Sequence, residues 1–200
     1  TTSLVTLKDA AALSRVEFAA SEVTLTAGDA KELSMEVSPI VDKASFNLSN
    51  VPEDVTGVSV TMGKLHNGIC LDGTFPTDAT GEEVTFSLTK GSEDGVWELL
   101  TAYVLPAIGT SVTISVTVTT ATETKKYVYT SSVVPQGSKE FNVSLSVPEK
   151  EEEKASLSFN ITSKGWTGTS TVSGELEEVV EDESDEDNTK GKQGTGVLCR

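Results

Sequence analysis

Histidine occurs once in this chain of 200 residues, at His66, and that scarcity removes much of familiar enzyme chemistry. There is no second imidazole for a two-histidine metal site, and a Ser-His-Asp relay would hang on a single side chain. Basic residues are scarce as well, with 15 Lys+Arg against 31 Asp+Glu and a formal net charge of −16. Such a surface repels phosphate backbones and lacks the basic stripe that counterion release needs, so nucleic acid is excluded as a partner. Long apolar runs are missing too. Nothing approaches the roughly 20 residues that a bilayer-spanning helix requires, and no charged-then-apolar stretch opens the chain, so the segment reads as soluble. Only two cysteines are present, Cys70 and Cys199, the second in an expected flexible tail. No native disulfide is expected on that basis, and no compartment follows from the count.

What is abundant points to strands. Serine and threonine make up about a quarter of the chain, and valine leads the large apolar residues, a usage that favours sheets over helices. In Ser111-Val112-Thr113-Ile114-Ser115-Val116-Thr117-Val118-Thr119 every apolar side chain falls on one face and every hydroxyl on the other. Phe141 to Val147 and Leu157 to Ile161 repeat that period of two. Weaker copies sit at Val23/Leu25, Leu33/Met35/Val37, Val58/Val60/Met62, Val84/Phe86/Leu88 and Trp97/Leu99 with Tyr103/Leu105. About ten such strands with no amphipathic helix between them predict an all-β, antiparallel Greek-key β-sandwich with little helix, because each one-faced sheet needs a second sheet to cover it. Asp9 to Leu13 is the single helix candidate, and Val16 and Phe18 alternate as a strand would, which favours strand.

Turn signals punctuate the strands at Ala27-Gly28-Asp29, Asn67-Gly68, Asp72-Gly73, Asp94-Gly95 and Gln136-Gly137. Asn67-Gly68 predicts a two-residue hairpin joining Val58–Leu65 to Ile69–Leu71. Glu149 to Lys154 reads as an exposed loop between two strands. After Gly174 the apolar pattern stops, and nine carboxylates with no base fall between Glu175 and Asp187. The expected organisation is a sandwich domain over residues 1–174 and an acidic, flexible tail over 175–200.

Each candidate site has a plainer reading beside it. His66, next to Asn67-Gly68, reads as an exposed turn histidine with no chemistry assigned. The acidic run from Glu181 lacks the glycine and terminal glutamate of a calcium loop, so it reads as solvated charge and no metal or cofactor is expected. Asn47, Asn142 and Asn160 stand in sequons, about as many as chance places in a chain this rich in Ser and Thr. Trp97 is in phase with Leu99 and reads as core, whereas Trp166, between glycines, is a candidate ligand or partner contact together with Tyr127 and Tyr129.

A series of segments in order resembles the fimbrillin-like surface proteins of Bacteroidales bacteria, the type V pilus subunits and their fimbrial-anchor relatives. They are Leu7-Lys8-Asp9-Ala10-Ala11-Ala12-Leu13-Ser14-Arg15-Val16-Glu17-Phe18, Gly95-Val96-Trp97 leading into Tyr103-Val104-Leu105-Pro106-Ala107, Lys126-Tyr127-Val128-Tyr129, the Gly137 turn into Phe141-Asn142-Val143-Ser144-Leu145, and Ile161 to Gly168. The resemblance spans about residues 7 to 168. It implies a transthyretin-like β-sandwich, exported and displayed on the outer membrane or in a fimbrium, held to the membrane only by a lipid anchor that this segment does not contain. It also implies assembly with other fimbrial subunits by strand exchange, with Arg15 as the candidate processing position and the strand edges near Leu4 to Phe18 and Phe141 to Val147 as the joining surfaces. The expected function is a non-enzymatic surface or adhesion component. The alternative is a carbohydrate-binding module in which Trp166 with Tyr127 or Tyr129 presents an aromatic platform to a host or other glycan. A third reading is a secreted hydrolase with two carboxylates converging in a cleft, a convergence that spacing in an all-β chain cannot show.

Overall fold

The computed structural model describes residues 4–6, 13, 17–18, 38–77, 81–147, 156–165 and 168–178. Fourteen strands are assigned among these residues. They are β1 (Leu4–Thr6), β2 (Glu17–Phe18), β3 (Ser38–Pro39), β4 (Asp42–Ser49), β5 (Val55–Leu65), β6 (Gly68–Cys70), β7 (Glu82–Ser87), β8 (Thr89–Lys90), β9 (Trp97–Val104), β10 (Val112–Thr120), β11 (Thr124–Ser131), β12 (Glu140–Ser146), β13 (Ser156–Gly165) and β14 (Gly168–Glu178). The described chain is all-β, as its alternation predicts.

Period two becomes a buried face directly. Along β4, Asp42, Ala44, Phe46 and Leu48 are buried, and the residues between them are partly or fully exposed. Ten strands hydrogen-bond in the order β7-β5-β10-β11-β14-β13-β12-β4-β9-β8, and two small sheets pair β1 with β6 and β2 with β3. Laid flat, seven strand spacings of ~4.8 Å would hold β7 and β4 about 34 Å apart. The rings of Phe46 on β4 and Phe86 on β7 are instead stacked with centroids 5.4 Å apart. The ladder therefore folds over on itself, with β7-β5-β10-β11 as one layer and β12-β4-β9-β8 as the other. Val60, Met62, Ile114 and Val116 from the first layer meet Phe46, Leu48, Phe141 and Val143 from the second, each at most 1% exposed.

Both sides of this sandwich are bridged. On one side the β13–β14 hairpin carries the ladder across, its β14 strand pairing with β11 at Tyr127↔Glu178 and Val128↔Glu177. On the other, one segment serves both layers: β7 pairs with β5, buried Leu88 donates its N–H to the Val58 carbonyl at 2.9 Å, and β8 then pairs with β9.

Several details depart from the sequence expectation. The Asn67-Gly68 hairpin does not form. Both edges of β5 are already taken, by β10 and β7, so β6 leaves the main sheet and pairs with β1. The left-handed residue is Lys64, with φ 61°, and the His66 N–H turns to the Pro106 carbonyl at 2.9 Å. One pair in the ladder is parallel, β4 with β12 from Lys43↔Glu140 to Ser49↔Ser146, which alternation alone leaves undetermined. Cys70 is fully buried and disulfide-bonded, contrary to the expectation of none; Cys199, the other cysteine of the chain, lies outside the described residues. The sandwich also extends past Gly174, because backbone pairing to β13 continues through Glu177. All of the helix candidate Asp9–Leu13 except Leu13, which stands in no regular element, lies outside the described residues, as do the strands expected at Val23 to Val37, the Glu149–Lys154 loop and residues 179–200.

Candidate functional site

The two ends of the ladder decide where another chain could join it. At β7, the sheet is blunted in the usual way, with exposed Glu82 and Glu83 opening the strand. β9 differs. β4 covers one of its edges from Asp42↔Val104 to Leu48↔Trp97, but β8 covers the other only at Trp97 and Glu98. Among the described residues no strand lies beyond Leu99–Val104. At ~3.3 Å per residue those six positions present an edge of about 20 Å.

That edge is bounded by the chain itself. At its start stands the β8 crossing. Beyond its end the chain runs over to β5, where Leu65 bridges Ala107 and the Ile108 N–H reaches the Lys64 carbonyl at 2.7 Å. Ala102 and Val104 turn their side chains into the core, and Leu99 packs partly buried against it. Between Phe46↔Leu99 and Ala44↔Ala102, β9 has two residues, Leu100 and Thr101, against the single Ser45 of β4. This bulge rotates Leu100 outward to 68% exposure, the most exposed large apolar side chain described. The sequence carries a signal for it, since the adjoining Leu99-Leu100 interrupts the period of two within β9.

The expected joining edge at Phe141 to Val147 is not an edge. β12 is paired on both sides, parallel with β4 and antiparallel with β13, because the two neighbouring strands close over it. β1 keeps one unpaired side among the described residues. Tyr127 is a core residue, 6% exposed, and Tyr129, two positions on and so on the same face, packs against the core; inward alternation keeps both rings from forming an exposed platform. Arg15 and Trp166 lie outside the described residues. The sequon asparagines stand on the outer face of adjacent strands. Asn142 accepts a hydrogen bond from Ser45 at 2.6 Å, and Asn160 donates to Ser173 at 3.1 Å.

Two ionisable groups are buried without any sign of it in the sequence. Asp42, 0% exposed at the start of β4, accepts backbone N–H bonds from Gln136 at 2.8 Å and Lys139 at 2.7 Å and so pins the turn before β12. Burial pushes its pKa above the ordinary carboxylate value, against the opposing pull of those N–H groups and the Lys139 charge. His66, expected at the surface, is 8% exposed. Its ring packs against Phe75 at 4.8 Å, and its Nδ1 is buried with no hydrogen-bond partner. Burial lowers its pKa below 6.5. Among the described residues no group of His, Cys, Asp and Glu side chains is arranged to hold a metal ion.

Comparison with known proteins adds little to this geometry. No family model matches the chain, and no curated protein matches it. Among solved structures it is similar to a "putative cell adhesion protein" from Bacteroides ovatus, at 14% identity and a TM-score of 0.39, over 75% of this chain and 49% of that one. The chain thus spans about half the length of that protein, and a likeness this distant carries no functional argument.

Proposed function

We propose that the chain is a non-enzymatic cell-surface component, a fimbrial subunit or a fimbrial-anchor-like protein, that joins its neighbours by β-strand addition at the outer edge of β9. The observation behind this reading is that edge, six residues over Leu99–Val104 paired with β4 on one side and with no strand on the other among the described residues, backed by the core and bounded at both ends by the chain's own crossings. An extended segment laid along it gains main-chain hydrogen bonds, and its alternate side chains set register and choice of partner. The ordered segments resembling fimbrillin-like proteins support the same reading, as does the family's processing after an arginine, here carried over to Arg15. In this reading the protein is exported, its partners are other subunits, and it takes no cofactor and performs no catalysis. The carbohydrate-binding alternative has less support, because Tyr127 and Tyr129 face inward.

The test is limited proteolysis with an arginine-specific protease followed by size-exclusion chromatography with light scattering, on wild type, Arg15→Ala and Leu100→Lys. Ladder-like oligomers are expected after cleavage of the wild type. They should be absent from Arg15→Ala and weakened in Leu100→Lys, where a charge stands on the joining edge. A chain that is cut at Arg15 and stays monomeric, or oligomers indifferent to Leu100→Lys, would overturn the proposal.

A further inference from the structure

The ladder has a second open edge, within its order rather than at its end. β13 holds one side of β14 from Gly168 to Glu177. On the other side, pairing with β11 is confined to Glu177 and Glu178 among the described residues, so no strand is paired there with Thr169–Gly174. Exposure agrees with this. Thr169, Ser170, Thr171, Ser173 and Gly174 are exposed, and Val172 is partly buried against the core. At ~3.3 Å per residue these six positions present an edge of about 20 Å, the same length as Leu99–Val104 on β9.

The two runs share a second property. Open edges are usually defended by charge or proline, and neither Thr169–Gly174 nor Leu99–Val104 contains a charged residue or a proline. Charge begins again directly beyond the first run, at Glu175, Glu177 and Glu178. Two copies of a chain with a formal charge of −16 repel one another, so they meet at least cost through surfaces that carry no carboxylate. Strand direction then fixes how these two edges can meet. With β14 taken as pointing up, β13 points down, β12 and β4 point up, and β9 points down. A second copy set beside the first in the same orientation therefore lays its β14 antiparallel to the first copy's β9, the more stable kind of pair.

We infer that the strand added at Leu99–Val104 is β14 of a second copy of this chain, with Thr169–Gly174 running antiparallel to the β9 edge. The inference rests on the strand addition at β9 proposed above and names its partner. Each copy carries β9 on the side of the sandwich that the β7–β8 segment crosses and β14 on the side of the β13–β14 hairpin. Such a contact joins unlike surfaces, so it extends from copy to copy into a filament unless its rotation closes a ring. The order β14-β13-β12-β4-β9 then repeats along one continuous sheet. Leu100, turned outward by the bulge, gains cross-strand cover from the threonine methyls on the outer face of β14.

Two variants, each blocked at one edge, test this by complementation. One carries Leu100→Lys with Thr101→Lys on β9, the other Thr169→Lys with Thr171→Lys on β14; all four positions are exposed, so both variants should keep the wild-type circular dichroism and melting temperature. Under the conditions that give ladders with the wild type, each variant alone is expected to stay monomeric by light scattering. Their equimolar mixture should form a dimer with one copy of each, because the free β14 of the first fits the free β9 of the second. Thr169→Ser with Thr171→Ser, which adds no charge, should form ladders as the wild type does. A β14-blocked variant that still forms ladders overturns the inference and leaves strand addition at β9 standing. A β9-blocked variant that still forms them overturns both, as does a wild type that never leaves the monomer. A mixture of two folded variants that stays monomeric overturns the head-to-tail pairing.

Discussion

Asp42 and His66 are both buried and ionisable, and they respond to pH in opposite directions. The folded-state pKa of Asp42 is raised, so its contribution to stability is complete below the ordinary value of 3.8 and is lost as pH climbs through the folded value. Asp42→Asn would turn an NH2 group towards a backbone N–H of Gln136 or Lys139. The expected loss is about 1–3 kcal/mol in urea unfolding, narrowing as pH rises out of the carboxylate range. A gap that widened with pH would contradict the burial argument. For His66 the folded-state pKa is depressed, so its contribution is present above 6.5 and is lost as pH falls through the folded value. Thermal melts should therefore show a loss of stability in the wild type on acidification below 6.5 that His66→Leu, with no proton to take up and no buried Nδ1 to leave unpaired, does not share.

At the scale of single elements, the small β1–β6 sheet depends on one absent methyl group. A Cβ on Gly68 would lie 2.2 Å from the Val5 carbonyl oxygen, a backbone atom with no rotamer to change. Gly68→Ala is expected to expel β1 and cost about 1–3 kcal/mol, read as rapid amide exchange over Leu4–Thr6 while β10 stays protected. Unchanged exchange in β1 would show that the strand can shift aside. The same pair of strands marks how far the sequence could be read. β10 and β12 were legible because alternation assigns each side chain to a face, and that assignment needs no knowledge of neighbours. Partner choice does need it. Asn67-Gly68 reads locally as a hairpin, but β10 and β7 already occupy β5, and the β4–β12 pairing joins positions far apart in the chain. The β9 edge was half legible, through the Leu99-Leu100 doublet.

For the molecule as a whole, the buried disulfide at Cys70 is the least local restraint. With Cys199 the one other cysteine in the sequence, peptide mapping without reductant is expected to recover the two joined. A bridge between those two positions would close a long loop, worth at most roughly 4–5 kcal/mol in the chain-entropy view, so reduction should lower the melting temperature of the wild type and leave a Cys70→Ser variant unaffected. A wild type that melts at the same temperature with and without reductant would remove the bridge from the account of stability. The parallel pairing of β4 with β12 has a further consequence, for the order of events when the chain folds. β10 meets β11 across a short turn, and that contact is available as soon as both strands exist. Strand β4 must wait until nearly a hundred further residues have been made before its parallel partner arrives, and closing so wide a loop is slow. Through that interval β4 has apolar Phe46 and Leu48 without their final cover, and this is when the chain is most exposed to aggregation.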